Sequence, residues 1–189
     1  MRCPWPANNE RMITYHDKEW GVPVHDDQLL FEHLVLDGFQ AGLSWQTILN
    51  KRENFRKAFD NFDIERVAAF DSLRVEELLQ DAGIIRNRLK IEAAINNAGR
   101  ILEVQKEFDS FGHYLWQFIG HRTIHNHFKD LHELPASTLL SDTISKDLRK
   151  RGFKFVGSTI VYAFMQAIGM VNDHLTSCFR YRELIESNP

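Results

Sequence analysis

The chain has 189 residues, 43% of them hydrophobic and 12% aromatic, enough for one well-buried core and about one domain, taken as residues 1–189. Its 23 Lys and Arg against 26 Asp and Glu leave a net charge of -3, which excludes a whole-molecule field for a polyanion, so that such a partner must meet a local basic patch. No apolar run approaches the roughly 18 residues of a membrane span, the opening MRCPWPANNE has no signal-peptide pattern, and Cys3 and Cys178, at opposite ends, offer no disulfide framework. These features indicate a soluble, cytoplasmic protein, with a monomer as the default.

Along the chain, the spacing of Leu29, Leu30, Phe31, Leu34 and Val35 predicts a helix from Asp27 to Gln40. Trp45, Ile48, Leu49, Phe55 and Phe59 predict a second, capped by Ser44 and joined to the first by the turn Ala41-Gly42-Leu43. Asp63 is the expected cap of a short helix over IERVAAF, and Ser72 of one over LRVEELLQDA. Gly83 then breaks the chain before a long amphipathic helix from Arg88 to about Gln105. Ser110 opens a short segment, Ser141 precedes a helix over DTISKDLRKR that Gly152 stops, and the apolar run from Ser158 to Ile168 is a helix closed by Gly169. The N-terminal arm has no helical pattern of its own, and period-two alternation is nowhere sustained, so the fold class is all-α.

Four segments could carry chemistry. Cys3 and His16 near the start, with His174 and Cys178 near the end, make a closed Cys2His2 set of the kind that holds a structural zinc. The last two, at i and i+4, would project from one helical face, and a metal there would tie the N-terminal arm to a C-terminal helix. Nine histidines also produce such pairs by chance, and spacing alone leaves both readings open. The second segment, Leu36 to Trp45, brings an acid, an amide, two glycines and a tryptophan to one turn. With Tyr15, Trp20 and Trp5 it suits a nucleobase pocket, although tryptophans are mainly core residues. The third, Leu78 to Lys90, is a helix end, a Gly-centred hairpin and a long helix starting among Arg86, Arg88 and Lys90, as a helix-hairpin-helix element would be. Backbone amides at Gly83 and Ile84 and at the helix start could hold a phosphate; an ordinary αα-hairpin with a solvated basic face fits equally. The fourth is the basic run from Lys146 to Lys154, with Arg149, Lys150 and Arg151 between, which supplies the local patch that net charge lacks. Lys51, Lys90, Lys146, Lys150 and Lys154 all sit in contexts suited to phosphate contacts.

In one order, YHDKEWG at Tyr15 to Gly21, LDGFQAGLSW at Leu36 to Trp45, KREN at Lys51 to Asn54, DAGIIRNRLKI at Asp81 to Ile91, KRGFKFVG at Lys150 to Gly157, and NDH followed by Cys178 resemble bacterial 3-methyladenine DNA glycosylase I over nearly the whole chain. The resemblance implies a helix-hairpin-helix glycosylase fold with two helical lobes, one zinc-binding and built from both termini, the other carrying the hairpin. It implies one structural Zn²⁺ on Cys3, His16, His174 and Cys178. It places lesion recognition on Asp37, flanked by Tyr15 and Trp45 with Trp5 and Trp20 nearby, and the loop that probes the duplex near Gly42 and Leu43. The implied activity is monofunctional excision of N3-methyladenine from alkylated double-stranded DNA, with free 3-methyladenine as product. Two positions depart from the family pattern: Asp37 stands where the best-known members have Glu, and Met12 where some have Tyr. A non-catalytic protein that only senses alkyl lesions would use the same pocket and patch, and a zinc-stapled helical interaction domain holding a peptide or metabolite is a third possibility.

Overall fold

The computed structural model describes residues 1–187. Ten α-helices account for most of the described residues: α1 (Glu10–Lys18), α2 (Asp27–Gln40), α3 (Trp45–Ala58), α4 (Ile64–Ala68), α5 (Ser72–Gln80), α6 (Arg88–Phe108), α7 (Phe111–Trp116), α8 (Leu139–Lys150), α9 (Ser158–Ala167) and α10 (Phe179–Ser187). One short parallel pairing, Ile124 and His125 (β1) beside Val171 and Asn172 (β2), lies outside the all-α expectation. Two residues a strand leave no alternation for a sequence pattern to carry.

Helix α2 is the axle. Every residue from Leu30 to Phe39 on it is buried, as expected of a helix packed on all sides. It contacts α3, α6, α7 and α9, while α4 and α5 lie on α6 and α8 lies on α9. Helix α2 therefore holds Glu32, His33 and Asp37 away from water, an arrangement that costs free energy unless each is paired or used.

Several starts differ from the sequence reading by a residue or a turn. Asp71, not Ser72, caps α5, its carboxylate accepting from the Arg74 amide. Thr138, not Ser141, caps α8, and Ser141 completes a reciprocal capping box from the third helical position. The N-terminal arm does contain a helix, α1, opened by Asn9. His174 and Cys178 precede α10 in irregular chain and share no helical face. Gly169 closes the α9 segment as expected: its φ is +73°, and an added Cβ would lie 2.4 Å from the Val22 carbonyl carbon. That close approach sets the chain after Trp20 against the end of α9, where Gly21 donates to the Gln166 carbonyl at 2.9 Å.

Candidate active site and metal centre

Beside the main core lie two smaller apolar clusters, one around Tyr15, Trp20 and Leu49, the other around Cys3, Leu175, Cys178 and Tyr181, and Trp5 and Leu134 pack against both. Between them opens a pocket of about 300 Å³, lined by Trp5, Met12, Tyr15, Trp20, Asp37, Gln40, Trp45, Leu131, Leu134, Ala163 and Gln166. Its size is at the low end for small-molecule sites and suits one bicyclic base. The Tyr15 and Trp45 rings are 5.1 Å apart, and Trp5 meets Trp20 edge-on at 5.2 Å.

Asp37 is the only acid in that lining, 4% exposed, and its Oδ2 has no partner among the described residues. Burial pushes its carboxyl well above the usual carboxylate range, and the positive charge of Arg52 draws it partly back. Burial likewise raises the Tyr15 hydroxyl, with the Asp37 charge next in effect. The indole N–H groups of Trp5 and Trp45 are also buried without partners among the described residues. A buried acceptor and two buried donors left open around one cavity are expensive in an empty protein and are what a polar ligand would satisfy.

A second pocket of about 220 Å³ adjoins the first, sharing Asp37, Gln40 and Ala163 and adding Ala41, Gly42, Leu43, Thr159 and Ile160. Gly42 has φ +79°, the left-handed conformation that lets the turn reverse sharply after α2. Leu43 follows it, an apolar side chain left 40% exposed at the pocket mouth. Ser44 caps α3 at 3.2 Å as the sequence indicates, so that Trp45 begins α3 and lines the first pocket.

Behind Tyr15 lies the four-residue cluster. The ligand atoms of Cys3, His16, His174 and Cys178 all lie within 4.8 Å of one another and all four residues are buried. Tetrahedral Zn²⁺ with bonds of about 2.0–2.3 Å separates its ligand atoms by about 3.3–3.8 Å. Here His174 Nδ1 lies 3.7 Å from Cys3 Sγ, 3.6 Å from Cys178 Sγ and 3.1 Å from His16 Nε2, with Cys178 Sγ 3.6 Å from His16 Nε2. The outer ring nitrogens fix the tautomers. His16 Nδ1 donates to Asp17 at 2.7 Å and His174 Nε2 to the Trp20 carbonyl at 2.9 Å, so in the neutral rings both inner nitrogens present lone pairs to each other. A cation between them resolves that opposition, and outer partners of this kind are usual for metal-bound histidines. Hydrogen bonding from Cys3, then from His16 and His174, lowers the Cys178 thiol against the opposing effect of burial, while Cys3 is raised. The donor set and its spacing fit a closed metal site.

The basic residues divide. Arg86, Lys146, Arg149 and Lys154 are exposed, with no side-chain partner among the described residues. Arg88 pairs with Glu76 and Glu92. Arg151 pairs with Glu107 and Asp147 and lies over the Phe108 and Tyr114 rings, which makes it part of the α6–α8 packing rather than a free cation. Lys51 and Lys90 overturn the expectation of phosphate contacts. Lys90 is 8% exposed and its ammonium donates to the carbonyls of Phe39 at 2.8 Å and Ala41 at 2.6 Å. Lys51 donates to those of Ala82 at 2.9 Å and Gly83 at 3.2 Å. The Gly83 and Ile84 amides are also spent internally, on the Asp81 carboxylate and carbonyl. Among the described residues, the hairpin amides of Ala82, Ile85, Arg86, Arg88 and Leu89 have no partner. A carboxylate two residues before Gly83 is the sequence signal for that correction.

Residues 5–181 match the family model described as methyladenine glycosylase. The chain belongs to the methyladenine glycosylase family. It is 51% identical over 180 residues to DNA-3-methyladenine glycosylase 1 of Escherichia coli (strain K12), covering 95% of this chain and 96% of that protein. A crystal structure of 3-methyladenine DNA glycosylase I superposes with a TM-score of 0.92 at 50% identity, covering 95% of this chain and 98% of the other. A family member at 31% identity, solved in complex with 3-methyladenine, also gives 0.92 and covers 94% and 96% of the two chains. The likeness in fold thus extends well beyond the likeness in sequence. Within this member of the family, Leu131, Leu134, Ala163 and Gln166 line the aromatic pocket without having been expected there. Leu131 and Leu134 come from a stretch with no periodicity, whereas Gln166 is visible in sequence as the polar break in an apolar run.

Proposed function

We propose that this protein is a monofunctional DNA glycosylase that hydrolyses the N-glycosidic bond of N3-methyladenine in alkylated DNA. It releases the free base and leaves an abasic site. The observation that carries the reading is the aromatic pocket with one buried, unpartnered carboxylate oxygen, in a chain half identical to glycosylases of that name.

A base inside a duplex must leave the stack, which costs a few kcal/mol that pocket contacts offset. N3-methylation gives the purine a positive charge. Tyr15 and Trp45 receive the cation on their faces, Trp5 and Trp20 close the pocket, and Asp37 accepts from the donor edge of the base. Water adds to the deoxyribose C1′ as the bond to the base breaks. The bond's electron pair passes to the ring and cancels its charge, and the water's second proton leaves to solvent. The methylated base is already a good leaving group, so Asp37 acts mainly by holding it. No lysine lines the pocket, and Lys51 and Lys90 are tied to carbonyls, which supports hydrolysis by water over a Schiff base. The Gly42–Leu43 turn enters the gap left in the duplex. Arg86 and the open hairpin amides, with Lys146, Arg149 and Lys154, hold phosphates. Cys3, His16, His174 and Cys178 would hold one Zn²⁺, which when bound supplies a structural cross-link between the two ends of the chain.

Chromatography of bases released from methylated duplex DNA tests this. Release of 3-methyladenine without 7-methylguanine, and without an adduct on borohydride treatment, is expected. Duplex binding with no base release would leave the protein a lesion sensor.

A further inference from the structure

Gln166 lies on α9 one turn after Ala163, and both line the base pocket. Its side-chain nitrogen donates to Asp173 Oδ2 at 2.8 Å. Asp173 is 1% exposed, and the same carboxylate accepts the Tyr162 hydroxyl at 2.6 Å and the Asn126 amide at 2.6 Å. A carboxylate engaged by three donors has no hydrogen to offer in return. The Gln166 amide therefore cannot turn over: its nitrogen stays on Asp173, and its carbonyl Oε1, with no partner among the described residues, is the polar atom left to the pocket. The backbone is fixed as well, since the Gln166 carbonyl accepts from Gly21 at 2.9 Å. On the facing helix, Asp37 Oδ2 is a buried acceptor left open among the described residues, and α2 packs against α9.

We infer that Gln166 is a second base-reading residue: its oriented Oε1 takes one proton of an exocyclic amino group on the bound base while Asp37 takes the other. The inference rests on the base pocket proposed above and assigns its selectivity. An amino group has two protons and satisfies two acceptors. A ring carbonyl at the same place would face two acceptors with no hydrogen between them. A site built to receive hydrogen bonds rejects a ligand that lacks them far more strongly than an apolar wall rejects a change of size. Asp173 acts through Gln166, as the residue that keeps the amide from presenting its N–H face.

The test is binding of free 3-methyladenine and of 3-methylhypoxanthine, in which a carbonyl replaces the amino group, to the metal-loaded protein, followed by tryptophan fluorescence. Gln166→Met keeps the length of the side chain and Gln166→Leu changes its shape, so that one folding defect does not decide the result. The unsubstituted protein is expected to prefer 3-methyladenine. In both variants its affinity for 3-methyladenine is expected to fall about tenfold while that for 3-methylhypoxanthine holds or rises, so that the ratio contracts. An equal fall for both bases, or an unchanged ratio, would overturn the assignment. Failure of the unsubstituted protein to bind 3-methyladenine at all would overturn the functional reading beneath it.

Discussion

Asp37 stands in the stretch of α2 that is buried on every side, and burial raises its carboxyl well above the usual range. Between its unfolded value of about 3.9 and its folded value the native state binds more protons, so this group makes stability fall as pH rises across that window, with no further change above it. Asp37→Asn removes the cost. It is expected to raise Tm at neutral pH, by about 2–4 °C for each kcal/mol recovered, while weakening 3-methyladenine binding. Thermal unfolding from about pH 4 to 8 beside base titration checks both, and a variant that lost stability and kept affinity would remove Asp37 from the site. His33, four residues earlier, shifts the other way, to about 3, through burial and then the charges of Arg52 and Arg56. The unfolded chain takes up that proton near pH 6.5, so His33 costs stability progressively as pH falls from there toward 3, and His33→Met should flatten this part of the acid limb. Asp37, Tyr15 and Trp45 were legible in sequence because acid and aromatics cluster in short motifs, whereas Gln166 acquires its meaning from Asp173 and Asn126, which no local pattern joins to it.

Helices and caps were legible where periodicity is strong, as in α2, α3 and α6, and misplaced where two capping residues are adjacent, as at Ser72, where Asp71 makes the cap. The hairpin element shows why charge alone misleads. Lys90, in the first turn of α6, satisfies carbonyls at the C-terminal end of α2, and Lys51 and Asn54 on α3 satisfy those of the hairpin. Two turns far apart in sequence, Ala41 to Ser44 and Asp81 to Asn87, are thereby fixed on one frame. Sequence shows that Lys51 and Lys90 are basic but not that their ammonium groups are spent. Arg86→Ala is expected to weaken duplex binding and lower its salt slope by about one. Lys90→Met should leave the slope alone and instead reduce excision at saturating enzyme, because the Gly42–Leu43 turn loses its anchor. Duplex-binding isotherms at several salt concentrations, paired with single-turnover rates, separate the two. A changed slope in Lys90→Met would return that residue to the phosphate contacts.

At the scale of the whole chain, the Cys2His2 cluster joins residues 171 and 158 positions apart, Cys3 to His174 and His16 to His174. Three pocket walls, Trp5, Tyr15 and Trp20, belong to the segment held by Cys3 and His16. His174 also accepts no substitute easily, because its outer nitrogen fixes the Trp20 carbonyl while its inner one faces the cluster. The binding free energy of a metal held there would then also help to close the pocket. Chelation should therefore lower 3-methyladenine affinity as well as Tm, although no ligand atom of the cluster lines the pocket. Cys178→Ser should reproduce both effects, since Cys178 contributes to the cluster from the far end of the chain and does not itself line the pocket. The basic hairpin is held by Lys51 and Asn54 of α3 and α8 packs on α9, so undamaged-duplex affinity should persist. Zinc content, base titration and duplex binding on one chelated sample decide the matter. Loss of zinc with unchanged base affinity would make the cluster a stabiliser of the termini alone, while parallel loss of base and duplex binding would mean that the whole fold depends on it.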